Sequence, residues 1–246
     1  MPLSSILEKL PPLDLRAVLD RATLIELDLG KHESIAHLED LPHFAQLQTL
    51  RLGMHHVLTD LAPIAALHQL TRFSIDNQRH IPSLSPLSQL TQLQHLTLRY
   101  WPFLTDLSPL SQLTQLRHLD LSGAYHLEDL RPLRSLNQLT TLSVSGSSKL
   151  HDLHPLANLT ALEHLDLSIC EELQDLRPLA SLTRLRTLHL YYSPRIADLR
   201  PLANLKRLQK LRLNDCWRIA PEVRAASESE DWPRFRQLLQ QSPRPE

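Results

Sequence analysis

Glycine is scarce in this 246-residue chain, with 4 residues in all, which argues against a loop-rich β-barrel. Aromatic residues are scarce as well, at 4%. The 2 cysteines lack the partner ligands that a zinc site would need. Neither sign of charge dominates: 26 basic side chains face 27 acidic ones, for a formal net charge of −1. Nucleic-acid binding needs a field that neutralises phosphates, and the chain as a whole supplies none. No apolar stretch is long enough to cross a bilayer. The first residues, MPLSSILEKLPPLDL, lack a basic start followed by a long apolar run. The expectation is a soluble cytoplasmic protein with no membrane contact, although export by a signal-independent route fits the same sequence. There is no Gly-rich phosphate loop, no H-E-x-x-H and no nucleophile elbow. No enzymatic activity, cofactor or metal is therefore expected.

Leucine and proline stand out against these absences. Most leucines, and seven of the 18 prolines, fall on one period. In lines of 23 residues from Leu24, new lines begin at Leu47, Leu70, Leu93, Leu116, Leu139, Leu162, Leu185 and Leu208. Each opens L-x-x-L-x-L or a close variant, as in Leu116, Leu119 and Leu121, or with Phe73, Ile75 and Val144 as substitutes. The lines continue L-x-D-L-x-P-L-x-x-L or a variant, as in Leu127, Asp129, Leu130, Pro132, Leu133 and Leu136, and the ninth stops near Ile219. One such unit cannot bury its leucines alone, whereas stacked units bury them against each other and align their strands in a parallel sheet. The seventeenth-position prolines, Pro63 through Pro201, suit the start of short helical turns on the opposite side, where the missing N–H is not needed. The fourteenth-position column Asp60, Asp106, Asp129, Asp152, Asp175 and Asp198 can accept backbone N–H bonds where the chain turns. The same column could be read as metal ligands, but the turn role already explains it.

This pattern resembles the leucine-rich repeat family over about Leu24 to Ile219. The D-L-x-P-L segment is similar to the short repeats of bacterial internalins and of eukaryotic phosphatase-regulatory proteins. The gap from Ser193 to Ile196, or from Cys170 to Leu173, is one residue longer and is similar to cysteine-containing repeats. The combination also resembles repeat regions attached to bacterial sensor ATPases. The implied fold is an α/β solenoid: a right-handed horseshoe with a concave parallel sheet of about nine strands and short 3₁₀ or helical convex turns. The fold itself hosts many partners.

Both ends of a solenoid need covering. Residues 1–23, with Leu13, Leu15, Val18 and Leu19 after Pro11-Pro12, read as an N-terminal cap. The solenoid spans 24–219. Residues 220–246 read as a C-terminal cap and tail, with a polar link at Ser227-Glu-Ser-Glu-Asp before a helix carrying Trp232, Phe235, Leu238 and Leu239. That helix has a second reading as a docking element for a partner.

The third and fifth positions of each line point out of the sheet. They bring Arg51, Arg72, His95, His118, Asp120, His164, Asp166, His189 and Arg212 onto one face, with mixed charge that favours a polar protein surface over phosphate. Seven of the eleven aromatics follow the strands along one rim: Tyr100, Trp101, Phe103, Tyr125, Tyr191, Tyr192 and Trp217. Trp101 and Phe103 have two readings, exposed or folded back onto the loops. Tyr100, Tyr191 and Tyr192 read as exposed and, with Arg99, as partner contacts. His95 and His118 share one position in adjacent turns. A curved sheet spreads side chains rather than converging them on a metal, so these imidazoles read as surface histidines or as a pH-sensitive surface.

Cys170 and Cys216 share the ninth position two turns apart, roughly 9.6 Å at strand spacing, beyond the reach of a disulfide. The resemblance implies that the ninth residue points inward, a role Ser147 and Ser193 can share. The expected function is non-catalytic: an interaction module binding a protein partner on its concave face and aromatic rim, within a hetero-complex. It would serve as a scaffold, a defence sensor subunit, a toxin neutraliser or an effector. The alternative is a regulatory subunit of an enzyme such as a phosphatase.

Overall fold

The computed structural model describes residues 24–30, 38–54 and 58–241; the expected N-terminal cap at 1–23 lies outside them. Nine strands form one sheet in sequential order. They are β1 (Glu26–Leu29), β2 (Thr49–Met54), β3 (Arg72–Asp76), β4 (His95–Thr97), β5 (His118–Asp120), β6 (Thr141–Ser143), β7 (His164–Asp166), β8 (Thr187–His189) and β9 (Lys210–Arg212). All neighbours are parallel, and partners are one repeat apart: Leu27 faces Leu50, His95 faces His118, Leu188 faces Leu211. One register shift occurs, between Leu52 and Met54 on β2.

The Leu-x-x-Leu spacing explains the convex side. Leu133, Leu136 and Leu139 each donate an N–H to the carbonyl three residues earlier, at 2.9–3.0 Å. Tight turns of this kind bring every third side chain to the same face. The turn beginning at Leu116 therefore sends Leu116, Leu119, Leu121, Ala124, Leu127, Leu130, Leu133 and Leu136 inward, each at most 1% exposed. The 3₁₀ segments open with proline, as in Ser108–Gln112, Arg131–Ser135 and Arg177–Ser181. Each aspartate of the expected column caps one. Asp60, Asp106, Asp129, Asp152, Asp175 and Asp198 accept the N–H two residues on at 2.7–2.9 Å. Where Ser83 replaces aspartate, its hydroxyl accepts the N–H of Ser85 at 3.0 Å. Arg131, Arg177 and Arg200 fold back onto their capping carboxylates, and these hydrogen bonds hold Asp129, Asp175 and Asp198 below the usual carboxylate range.

Two further columns organise the chain just after each strand. The eighth position is left-handed at Asn77, Tyr100, Gly123, Gly146, Ile169, Tyr192 and Asp215, with φ between 55° and 83°. Its N–H donates to the next turn, as from Tyr100 to Ser122 and from Ile169 to Tyr191. The ninth side chain points inward and, where it is Trp101, Cys170, Ser193 or Cys216, donates to the sixth-position carbonyl of the turn before. Trp101 bonds Ile75 at 3.1 Å, Ser193 bonds Leu167 at 3.2 Å, and the Cys216 thiol bonds Leu190 at 3.0 Å. Cys170 and Cys216 are free and buried. Burial pushes the Cys170 thiol up to about 12.

After β9 the chain forms α1 (Pro221–Glu228) and α2 (Trp232–Gln241). Val223, Ala226, Phe235 and Leu239 extend the leucine core past the last turn. The polar link read at Ser227–Asp231 is shorter than expected. Ser227 and Glu228 complete α1, because the Ser227 hydroxyl donates to the Arg224 carbonyl at 2.7 Å and is buried. Among the described residues no helix is long and apolar enough to cross a membrane.

Candidate functional site

The concave face is made by the residues that alternate with the buried leucines of the strands. Leu96, Leu119 and Leu165 point inward, so their neighbours His95 and Thr97, His118 and Asp120, and His164 and Asp166 point out. The register stacks equal positions one strand apart. His95 and His118 consequently lie ring over ring, with centroids 6.0 Å apart and planes tilted by 27°. Burial lowers the pKa of both. Arg72, His118 and Arg117 lower His95 further, while for His118 nearby Asp120 opposes the shift and Arg72 and Arg99 add to it. Burial thus favours the neutral form of both imidazoles.

The carboxylates in the middle of the face are fixed by hydroxyls and amides. Asp120 accepts the Ser122 N–H at 3.0 Å and its hydroxyl at 2.5 Å, and Ser122 in turn lies 2.8 Å from the Ser143 hydroxyl. Asp166 accepts the Ser168 N–H at 2.9 Å and faces His189 at 3.6 Å. Burial alone would raise the Asp166 pKa, but the bonds from His189 and Ser168 outweigh it and lower it. Arg99 bridges two strands, 3.0 Å from Asp76 and 3.9 Å from Asp120. Of the residues read as partner contacts, Arg99 is thus already held by the protein's own carboxylates. Arg51 pairs loosely with Asp28 at 3.6 Å, and Arg72, His164 and Arg212 are exposed. Among the described residues no three histidine, cysteine, aspartate or glutamate side chains group to hold a metal ion.

The rim follows directly from the left-handed column. Tyr100 and Tyr192 occupy it, and Tyr191 precedes it. All three are exposed, at 54%, 45% and 41%. The Tyr100 and Tyr192 rings lie against neighbours. A Cβ on Gly123 would come within 2.9 Å of the Tyr100 ring, so glycine leaves the space in which that ring lies. Tyr192 meets Trp217 edge to face at 6.3 Å, and Phe103 meets His126 at 5.8 Å. The two undecided aromatics part company: Phe103 is exposed, and Trp101 is buried at 3%. Trp101 stands eight residues after Leu93, as Cys170 does after Leu162, so the ninth-position period already marked it as inward. The left-handed column carried a weaker signal, in Asn77, Gly123, Gly146 and Asp215 at one position.

A family model of leucine-rich repeats, in two copies, matches residues 160–204. No curated protein sequence matches the chain. Among solved structures, an internalin of Listeria monocytogenes (inlF) is similar at 27% identity and a TM-score of 0.65, over 87% of this chain and 67% of that one. Internalin C2 of the same organism is similar at 28% identity and a TM-score of 0.64, over 77% of this chain and 80% of that one. A leucine-rich repeat protein of Leptospira interrogans shares the fold at 19% identity and a TM-score of 0.52, over 74% of this chain and 53% of that one. With nine parallel strands stacked at a 23-residue period, the chain has the leucine-rich repeat fold, and its residues 160–204 match that family's model.

Proposed function

We propose that this protein is a non-catalytic interaction module that holds a protein partner across its concave face and the aromatic rim beside it. The observation that carries this reading is the row of exposed aromatics, Tyr100, Tyr125, Tyr191, Tyr192 and Trp217, next to strands with mixed charge. Tyrosine and tryptophan bury large areas on binding at little entropic cost, and here contacts within the rim already restrict several rings. The concave columns supply the polar complement: Arg51, Arg72, His95, His118, Asp120, His164, Asp166, His189 and Arg212, with Arg99 at the junction with the rim. Asp120 and Asp166 lie two strands apart on the face of the sheet, a spacing that suits recognition better than paired acid–base chemistry. Residues 1–23 and 220–246 fit this reading as the caps of the solenoid, and a cytoplasmic hetero-complex is the setting it implies.

The test is affinity purification from the native cell with quantitative mass spectrometry, comparing three baits. The unmodified chain should enrich a protein partner. Y191A/Y192A should lose it, with binding weakened by about 1 kcal/mol or more and no loss of thermal stability. A convex-side variant, Q112A/R134A, should retain it. Loss with the convex variant and retention with the rim variant would overturn the assignment.

A further inference from the structure

The edge of the sheet where the strands begin, opposite the aromatic rim, carries a different surface. Two adjoining hollows run along it and share Lys206 and Arg207. The first is floored by small polar residues from successive turns, among them Asn137, Thr160 and Thr183. The second ends against Trp232 and Arg236 of α2. The repeat explains the arrangement. Arg184 and Arg207 hold the same position in adjacent turns, and the turns are locked by the Arg186 carbonyl, which accepts the N–H groups of Gln209 and Lys210 at 2.8 and 3.0 Å. Equivalent residues are therefore about 4.8 Å apart.

The charge along this groove is of one sign. Arg186 is neutralised by Glu163 at 3.2 Å. Arg184, Lys206, Arg207 and Arg236 form no ion pair with a carboxylate among the described residues. On the convex side, by contrast, Arg131, Arg177 and Arg200 each fold onto an aspartate of their own turn. An unbalanced row of cations in a chain of net charge −1 is a local feature of the last turns. It raises the potential where an anionic segment would dock.

We propose that this groove binds an acidic, carboxylate-rich stretch of polypeptide, at a site separate from the concave face and aromatic rim. Its shape favours an extended peptide. From Asn137 to Lys206 it crosses three turn spacings, about 14 Å, which is the length of about four extended residues. Its floor offers amide and hydroxyl groups that can bond a peptide backbone, its far end offers four cations that no described carboxylate pairs, and Trp232 supplies an apolar wall. A free phosphate would be better served by converging donors than by cations spread along a groove. Nucleic acid would need a basic track longer than these last turns.

The test is fluorescence anisotropy of a labelled Glu/Asp decapeptide on the full chain. A Gln decapeptide, a single-stranded DNA 10-mer and inorganic phosphate serve as comparison ligands. The acidic peptide should bind, and rising salt should weaken it. K206E/R207E should lower affinity by about tenfold or more, and K206Q/R207Q by less. Y191A/Y192A should leave this affinity unchanged. Circular dichroism of each variant verifies the fold, which these exposed positions do not support. Absence of peptide binding, affinity within about twofold for K206E/R207E, or equal or better binding of DNA or phosphate would overturn the proposal.

Discussion

Ile169 is a β-branched residue at a backbone position that only glycine adopts without strain. Its φ is 58°, and the same position one turn earlier is Gly146, at φ 83°. The left-handed conformation costs an L-residue about 1–2 kcal/mol, and β-branched side chains tolerate it least. Asparagine tolerates it better because its short side chain bonds locally, and Asn77 occupies the column already. Ile169→Asn keeps the N–H bond to Tyr191, at 2.8 Å, and gives up a side chain that is only half buried. The expected gain is about 1 kcal/mol, or a rise in Tm of about 2–4 °C for a chain of this size. Ile169→Gly relieves the same strain but frees the unfolded chain by about 0.5–1 kcal/mol, so it should gain less. The reverse change, Gly146→Ile, imposes the strain and sets a Cβ 3.4 Å from both Gly123 and the Tyr125 ring. It should cost at least about 1–2 kcal/mol. Thermal and urea unfolding followed by circular dichroism measures all three. A loss of stability in Ile169→Asn together with a neutral Gly146→Ile would refute the left-handed column and the register that aligns it.

Other consequences concern the core, the thiols and the histidines. Leu119→Ala, at a fully buried position mid-sheet, should lose about 2–5 kcal/mol by urea unfolding; a loss under about 1 kcal/mol would contradict its close packing. Cys170 and Cys216 should react slowly with a thiol reagent in the folded protein and fully after denaturation, because burial raises both pKa values. A Cys170–Cys216 disulfide recovered from native protein would contradict the two-turn spacing. His95 and His118 have folded pKa values below 6.5, so the unfolded chain takes up their protons first. Their contribution to stability is full above that pH and falls as pH drops through 6.5 toward the folded values. H95T/H118T, which installs the residue that Thr49 and Thr141 supply at the same position, should flatten the fall in urea midpoint between neutral pH and about pH 5. An unchanged pH dependence would contradict the neutral, stacked pair.

The register was legible because it is written in leucine. A 23-residue period fixes which strand pairs with which, and by itself it sets His95 opposite His118. The aspartate caps were legible because a carboxylate two residues before a turn N–H acts within one repeat. What escaped the sequence depends on neighbours. Arg99 looked available to a partner, but its guanidinium reaches back to Asp76, a contact set by side-chain conformation across two turns. The left-handed column was masked because tyrosine, isoleucine and aspartate stand where glycine would have announced it. Helix α1 was missed because Ser227 reads as a linker residue, yet here it is buried and bonded inside the helix.

The proposed function turns on which surface a partner covers, and hydrogen–deuterium exchange of the purified complex tests that directly. With the partner bound, amides at the strand ends and rim around Tyr100, Ser122, Ile169 and Tyr192 should gain protection. Those of the convex turns, such as Ser111–Leu113 and Arg134–Leu136, should exchange as in the free protein. Protection confined to the convex turns, with the rim unchanged, would contradict the account.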